Sequence, residues 1–265
     1  MPTKILQKIL DLTDRLGTID LYITDTNFTL CCDGEKIRYS NTLVTYEEEK
    51  MTIDNGTQMT VTFNDLTTLL KSQKLDLGTF RIYNCTVPIS KIQPDCLNGL
   101  VKTLESVQDL HIVKTVFSKL DANELYRIIP LFDTETLEEI DFVNCSTGCL
   151  LDDDLFRNVK TLKLLGDYGS LSIETIPYFT HFYIKVDFFT RDNAIGIRDV
   201  LLNAQNFQVC QFQFPHNDPT EIAEVFDPGY HGGETSLIQY NNRLFDFTIN
   251  IGPGYLHIQK NHQGN

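Results

Sequence analysis

The 265-residue sequence contains no apolar run near the roughly 20 residues a membrane-crossing helix requires, so no bilayer-spanning segment is expected. Positive charge is also scarce. Lys and Arg total 22 against 36 Asp and Glu, a net charge of −14. Such a chain repels phosphate backbones and anionic lipid, and no local basic patch offsets the imbalance. Neither a nucleic acid nor a membrane is therefore an expected partner. A secretory leader is not legible at the start, because Ile5-Leu6-Gln7-Lys8-Ile9-Leu10 is short and carries Lys8 within it. Also missing are a nucleophile elbow, a P-loop and a glycine-rich dinucleotide fingerprint. His231-Gly232-Gly233 resembles part of a lipase oxyanion motif, but no G-x-S-x-G accompanies it.

Metal-ligand spacing is lacking in the same way. The cysteines number 7, which is odd, and Cys31-Cys32 would point to opposite faces of a strand. Cys145-x-x-x-Cys149, taken with Cys85 and Cys96, has no second close pair or His pair beside it. Asp152-Asp153-Asp154 lacks the alternating oxygens, central Gly and distal Glu of a calcium loop. The expectation is free, buried thiols in a reducing, cytoplasmic setting, with no metal and no cofactor. The six histidines (111, 181, 216, 231, 257 and 262) are dispersed. His111 and His181 fall on expected strand faces, where a Cys or carboxylate partner is conceivable.

What is present is an internal repeat. Leu77-x-x-Phe80-x-Ile82-x-x-Cys85 and Leu137-x-x-Ile140-x-Phe142-x-x-Cys145 share the leucine-rich-repeat frame, each with Asn before the Cys (Asn84, Asn144). The frame recurs in Val107-x-x-Leu110-x-Ile112, Val159-x-x-Leu162-x-Leu164, Phe179-x-x-Phe182-x-Ile184 and Phe207-x-x-Cys210-x-Phe212. In each, the second and third apolar residues would fill one face of a short strand, and the first would pack in the entering turn. Asn or Cys would fill the corner after it. Connectors return the chain so that strands lie parallel, and helices suit that task. Helices are predicted over 95–105, 118–129 and 191–204, with Pro130 ending the second, while Ser170 to Tyr178 leaves room for a turn or two.

The two ends read differently. Alternating segments at 19–23, 28–31, 36–39, 43–46 and 60–63, punctuated by Asp33-Gly34 and Asn55-Gly56, predict an antiparallel meander followed by a helix over 64–73. Beyond the repeats a short helix over 218–226 precedes strands at 237–240, 243–249 and 255–260. The predicted fold is α/β, an irregular leucine-rich-repeat-like solenoid of parallel strands capped by antiparallel strands at both ends. Residues 1–74 form the N-terminal strand cap and helix, 75–216 the repeats, and 217–265 the C-terminal helix and strand cap.

Stacked strands would present columns on the sheet face away from the helices. One column runs Arg81, His111, Asp141, Lys163, Tyr183, Gln211, and the next Tyr83, Val113, Val143, Leu165, Lys185, Gln213. Four successive apolar side chains in the second are unexpected where polar residues normally meet water. A terminal segment covers that stripe, or the register is off by one, or a protein partner binds it. On the last reading the partner-binding set is Arg81, Tyr83, His111, Val113, Asp141, Val143, Lys163, Leu165, Tyr183 and Lys185.

Leu69-Leu70-Lys71-Ser72-Gln73-Lys74-Leu75, the run from Ile129 to Ile140, Val225-Phe226-Asp227-Pro228, Phe245-Asp246-Phe247 and Tyr255-Leu256-His257-Ile258 resemble the FTH domain of nematode F-box proteins. The segment through Ile37-Arg38-Tyr39 is similar to the stretch that comes after the F-box in those proteins. The resemblance implies a substrate-recruiting receptor of a cullin-type ubiquitin ligase, non-enzymatic, holding a protein target. No F-box precedes Ile5, so a Skp-like adaptor is expected as partner only of a longer form. The alternatives are an F-box-less decoy or scaffold, and an enzyme with an unrecognised site.

Overall fold

The computed structural model describes residues 3–12, 15–40, 42–53, 57–72, 75–86, 91–107, 110–133, 135–146, 156, 158–166, 179–215, 218–233 and 235–261. The Asn55-Gly56 turn signal, Cys149, the Asp152 to Asp154 run and the Ser170 to Tyr178 connector lie outside them. The fold is mixed α/β, with parallel and antiparallel strands and six α-helices among the described residues. The chain divides into two compact units, Met1–Leu137 with Cys145–Thr147, and Glu138–Asn144 with Gly148–Asn265.

In the first unit, helix α1 (Lys4–Leu12) is followed by strands β1 (Leu16–Ile23), β2 (Phe28–Cys32), β3 (Glu35–Ser40), β4 (Leu43–Tyr46) and β5 (Glu49–Thr52). Helix α2 (Gln58–Leu70), β6 (Leu75–Asn84), α3 (Pro94–Glu105), β7 (Lys114–Ser118) and α4 (Ala122–Ile128) come next. Strands β1 to β4 form the expected antiparallel meander, and β5, at residues that carried no strand expectation, extends it. The β2–β3 turn is Asp33-Gly34, with φ of 48° and 97°, left-handed values that suit Asp and Gly. β1 also pairs in parallel with β6, and β6 with β7.

Residues 60–63 depart from expectation. Thr60-Val61-Thr62-Phe63 reads as a strand by its β-branched residues, yet it lies within α2. Thr57 caps that helix, accepting the Thr60 N–H at 3.3 Å, and the hydroxyls of Thr62, Thr67 and Thr68 donate to carbonyls four residues back. Burial of Thr62, Asp65, Leu66, Leu69 and Leu70 follows helical spacing, so one packed face overrides local propensity. Side-chain caps also open α1 and α4, whereas α3 begins at Pro94 without one. Asp121 and Glu124 form a capping box on α4, and its run ends in a 3-10 turn at Ile129–Leu131 that contains Pro130.

Of the buried carboxylates in the first unit, Asp65 is the most deeply enclosed. Asp65 of α2 accepts the Thr3 N–H and the hydroxyls of Thr3 and Tyr39, all at 2.7 Å. Thr3 in turn caps α1, accepting the Leu6 N–H at 3.0 Å. One side chain thus ties α1, α2 and β3 together. Burial holds the Asp65 carboxyl above its ordinary value, although all three donors favour the ionised form.

In the second unit, β8 (Glu139–Val143), β9 (Thr161–Leu165), β10 (His181–Lys185) and β11 (Val209–Gln213) run parallel, one per recurrence of the frame. Helix α5 (Arg191–Asp199), capped by Thr190 and Asn193, joins β10 to β11. Helix α6 (Thr220–Phe226) leads to β12 (Ser236–Asn241), β13 (Asp246–Gly252) and β14 (Tyr255–Lys260). Strand order is β8-β9-β10-β11-β14-β13-β12, the last three antiparallel.

The layers are joined by a repeated contact at the strand entries. The Glu138 carbonyl accepts the amides of Lys160 and Thr161, that of Lys160 accepts Thr180 and His181, and that of Thr180 accepts Gln208 and Val209, at 2.9–3.1 Å. Behind them the frame's apolar positions stack. Phe142, Phe156, Phe179, Phe182, Phe207 and Phe247 form an unbroken chain of rings with centroids 5.9–6.5 Å apart. At the exits, Asn144 adopts φ 52° and donates its amide to the Leu165 carbonyl at 2.8 Å. Gly166 sits beneath it with φ 153°, where a Cβ would approach Asn144 Oδ1 to 2.4 Å.

Two stability measurements test this packing. Ile140 is fully buried, and Ile140→Ala should cost about 2–5 kcal/mol by urea denaturation; a loss near zero would remove it from the layered core. Tyr39→Phe should cost about 1–3 kcal/mol by removing one of the three donors to the buried Asp65 carboxylate. An acid whose folded pKa is raised contributes stability below its unfolded pKa that disappears as pH rises through the folded one. Loss of the tyrosine hydroxyl raises that folded pKa further, so the deficit should be larger near pH 7 than near pH 4. An equal deficit at both would contradict an ionising Asp65.

Candidate interaction surface

Period-two alternation divides each strand between a helix-covered face and an open one. In the first unit, Ile19, Leu21 and Ile23 of β1 and Phe80 and Ile82 of β6 are buried, which turns Asp20, Tyr22, Arg81 and Tyr83 to the open side. Parallel register sets Asp20 beside Arg81 and Tyr22 beside Tyr83. Arg81 Nη1 donates to Asp20 Oδ1 at 3.0 Å, and the tyrosine rings stack with centroids 4.6 Å apart and planes 8° from parallel. Burial, followed by the Asp20 carboxylate, pushes the Tyr22 phenol up to about 12. Arg81 and Tyr83 therefore belong to a four-residue cluster, half of which the repeat frame missed. A signal for the other half exists: Ile19-Asp20-Leu21-Tyr22 and Phe80-Arg81-Ile82-Tyr83 carry opposite charges and the same tyrosine in the same phase.

His111 and Val113 do not join this array. The third strand begins later, at Lys114, and the residues beside Arg81 and Tyr83 are Val116 and Ser118. Leu110 and Ile112 are buried ahead of the strand, while Thr115 and Phe117 supply its inward face. A threonine in the second apolar position hid the true frame, Ile112-x-x-Thr115-x-Phe117-x-x-Leu120. His111 is exposed, with Nδ1 3.0 Å from Asp133 Oδ2, and Val113 is exposed just ahead of β7. The stripe of four successive apolar residues is accordingly broken at this position.

In the second unit the expected columns are in register. Asp141, Lys163, Tyr183 and Gln211 lie side by side across β8 to β11, as do Val143, Leu165, Lys185 and Gln213. Antiparallel β14 extends the rows with His257 and Tyr255, which the frame could not place because that strand runs against it. Lys163 is held by Glu139 and lies 3.9 Å from Asp141. Val143 and Leu165 are half-buried neighbours at the end of this face. Beside them a hollow of about 430 Å³ is lined by Lys185, Gln211, Gln213, Phe214, Pro215 and Tyr255 among others.

The remaining chemistry is sparse among the described residues. A cavity of about 480 Å³ in the first unit has Ile23, Phe28 and Met59 beside Asp25, Asp95 and Cys96. Burial pushes the Cys96 thiol up to about 12, and it raises Cys32 and Cys210 as well, so none supplies a thiolate at neutral pH. His181 Nδ1 meets only the Thr180 hydroxyl, at 2.8 Å. No group of three or more His, Cys, Asp or Glu suited to a metal ion occurs among the described residues. No helix there is long and apolar enough to cross a membrane.

The FTH domain family matches this chain over residues 94–229. F-box A protein 224 of Caenorhabditis elegans is 25% identical over 207 residues, which cover 76% of this chain and 52% of that protein. The chain thus spans about half the length of the curated relative. No solved structure matches.

Iodoacetamide near pH 8 should leave Cys32, Cys96 and Cys210 unlabelled in the native chain and label them in denaturant, read by peptide mass spectrometry. Native labelling of any of the three would contradict its burial.

Proposed function

This chain belongs to the FTH domain family, and on that premise we propose that it is a non-enzymatic module that holds a protein target on its open strand faces. The observation that carries the reading is the pairing of Val143 with Leu165, half-buried and adjacent on a face where water normally selects polar side chains. Lys163, Tyr183 and Lys185 flank them with donors and an amphipathic ring, the composition typical of recognition surfaces. In the first unit the stacked tyrosines and the Arg81–Asp20 pair supply a second such patch, since aromatic residues and Arg dominate binding energetics. The paired Asp141 acts as support by holding Lys163 in place. His111 and Val113, exposed just ahead of β7, would contribute at the margin of the first-unit patch.

In this reading residues 75–216 are an irregular leucine-rich-like solenoid, with 1–74 and 217–265 as its caps. By analogy with an F-box relative, the module is the substrate-recruiting part of a cullin-type ubiquitin ligase subunit, and a Skp-like adaptor binds it only in a longer form carrying an F-box. Without one it acts as a decoy or scaffold. Cys31, Cys32, Cys85, Cys96 and Cys210 carry free thiols, which suits the reducing cytoplasm.

The test is affinity capture from nematode lysate with mass spectrometry, followed by binary binding of each candidate. Leu165→Asp and Tyr83→Asp should each weaken a true target by about tenfold or more while Tm stays nearly constant. A large fall in Tm would instead make these residues core. Capture repeated with and without purified Skp-like adaptor separates the ligase role from the decoy, since only a ligase subunit retains the adaptor.

A further inference from the structure

Two strands, β5 in the first unit and β12 in the second, each have a single hydrogen-bonded neighbour among the described residues. A bare sheet edge is a template for another strand, and proteins normally blunt it with charge, proline or short length. β5 is blunted. It has four residues, two of them the exposed Glu49 and Lys50, and Glu49 is engaged by Lys8. β12 is not. It has six residues, Ser236-Leu237-Ile238-Gln239-Tyr240-Asn241, with no charge, proline or glycine, and Leu237 is 69% exposed.

The hydrogen-bond phase identifies which groups are on offer. The Asn242 amide reaches the Phe245 carbonyl at 3.3 Å, while the Asp246 carbonyl turns to Asn261 at 2.8 Å. Antiparallel alternation then directs Ser236, Ile238 and Tyr240 to β13. The N–H and C=O groups of Leu237 and Gln239 point away from the sheet. Helix α6 packs against this strand, with Phe226 and Tyr240 in edge contact at 5.9 Å. Its buried residues are Ile222, Ala223, Val225 and Phe226, which leaves Glu221, Glu224 and Asp227 exposed three residues apart along one side. Arg198, which reaches the Val225 carbonyl at 3.4 Å, is itself paired with Asp199 at 2.7 Å and does not neutralise that ridge.

We infer that the outer edge of β12 receives an extended segment of a partner protein as an added strand, apolar in its middle and basic at its flanks. Main-chain groups of Leu237 and Gln239 supply the ladder, Leu237 supplies apolar cover, and the acidic side of α6 selects the flanking charge. A second copy of this chain is disfavoured as occupant because each copy carries a net charge of −14. The inference stands apart from the open-face reading and does not need it.

The test uses the full chain and a fluorescein-labelled ten-residue peptide of alternating valine and threonine with two lysines at each end. Matched peptides carry glutamates at the ends or a central proline. Anisotropy should saturate with the lysine-ended peptide, and both matched peptides should bind about tenfold more weakly or worse. Gln239→Pro removes an outward N–H without touching the β13 ladder and should weaken binding about tenfold. If that variant misfolds, Leu237→Asn serves, with a smaller loss in the same direction. Hydrogen exchange should show the Leu237 and Gln239 amides open in the free chain and protected with peptide. Absence of saturable binding, equal binding of lysine- and glutamate-ended peptides, or indifference to both variants would overturn the inference. Concentration-dependent dimerisation that protects the same amides would overturn it in favour of a second copy.

Discussion

One carbonyl per layer sets the geometry of the second unit. Glu138, Lys160 and Thr180 each stand just ahead of a strand and each accept two successive amides from the next layer. That contact fixes where every strand begins relative to its predecessor, and parallel pairing then fixes each residue along it. Because the side-chain period in a strand is two, a slip of one residue would exchange the Phe142–Phe182 face for the Asp141–Tyr183 face. The chain of phenylalanine rings behind the sheet makes such a slip strongly unfavourable. The columns of the open face are therefore consequences of a core that tolerates a single register.

Polar chemistry inside the first unit serves architecture. Asp65 gathers three donors from residues far apart in sequence and joins two helices to a strand, although burial opposes its charge. Asn84 does comparable work at a strand exit, its Nδ2 donating to the Lys119 carbonyl at 3.2 Å and its Oδ1 accepting from Thr86. Cys145 fills the equivalent corner later in the chain, donating to the Phe117 carbonyl and accepting the Leu120 amide. Groups that a motif search would flag as nucleophiles or ligands are here tied to backbone.

Much of the repeat was legible because the frame is a direct imprint of strand geometry. Phe80 and Ile82, Ile140 and Phe142, Leu162 and Leu164, Phe182 and Ile184, and Cys210 and Phe212 are all buried on strands as their spacing predicts. The failure at 107–113 has a specific cause: Thr115 occupies an apolar slot, and the preceding Leu110 and Ile112 imitate the pattern. The helical start of α2 was illegible for a different reason. Thr60-Val61-Thr62-Phe63 favours a strand locally, and only packing of Thr62, Phe63 and Leu66 against the unit's interior makes a helix there lower in free energy.

Composition and periodicity by themselves determined the class of fold and the position of most strands and helices, since these depend on interactions within a few residues. Which strands became neighbours was decided in three dimensions. β1 joined β6 in parallel and brought Asp20 and Tyr22 to Arg81 and Tyr83, and β14 reversed against β11 and brought Tyr255 to Gln213. Those pairings depend on sequence separations of about sixty and about forty residues, over which no local pattern carries information, because the energy that selects them resides in a core formed only after the chain has closed on itself.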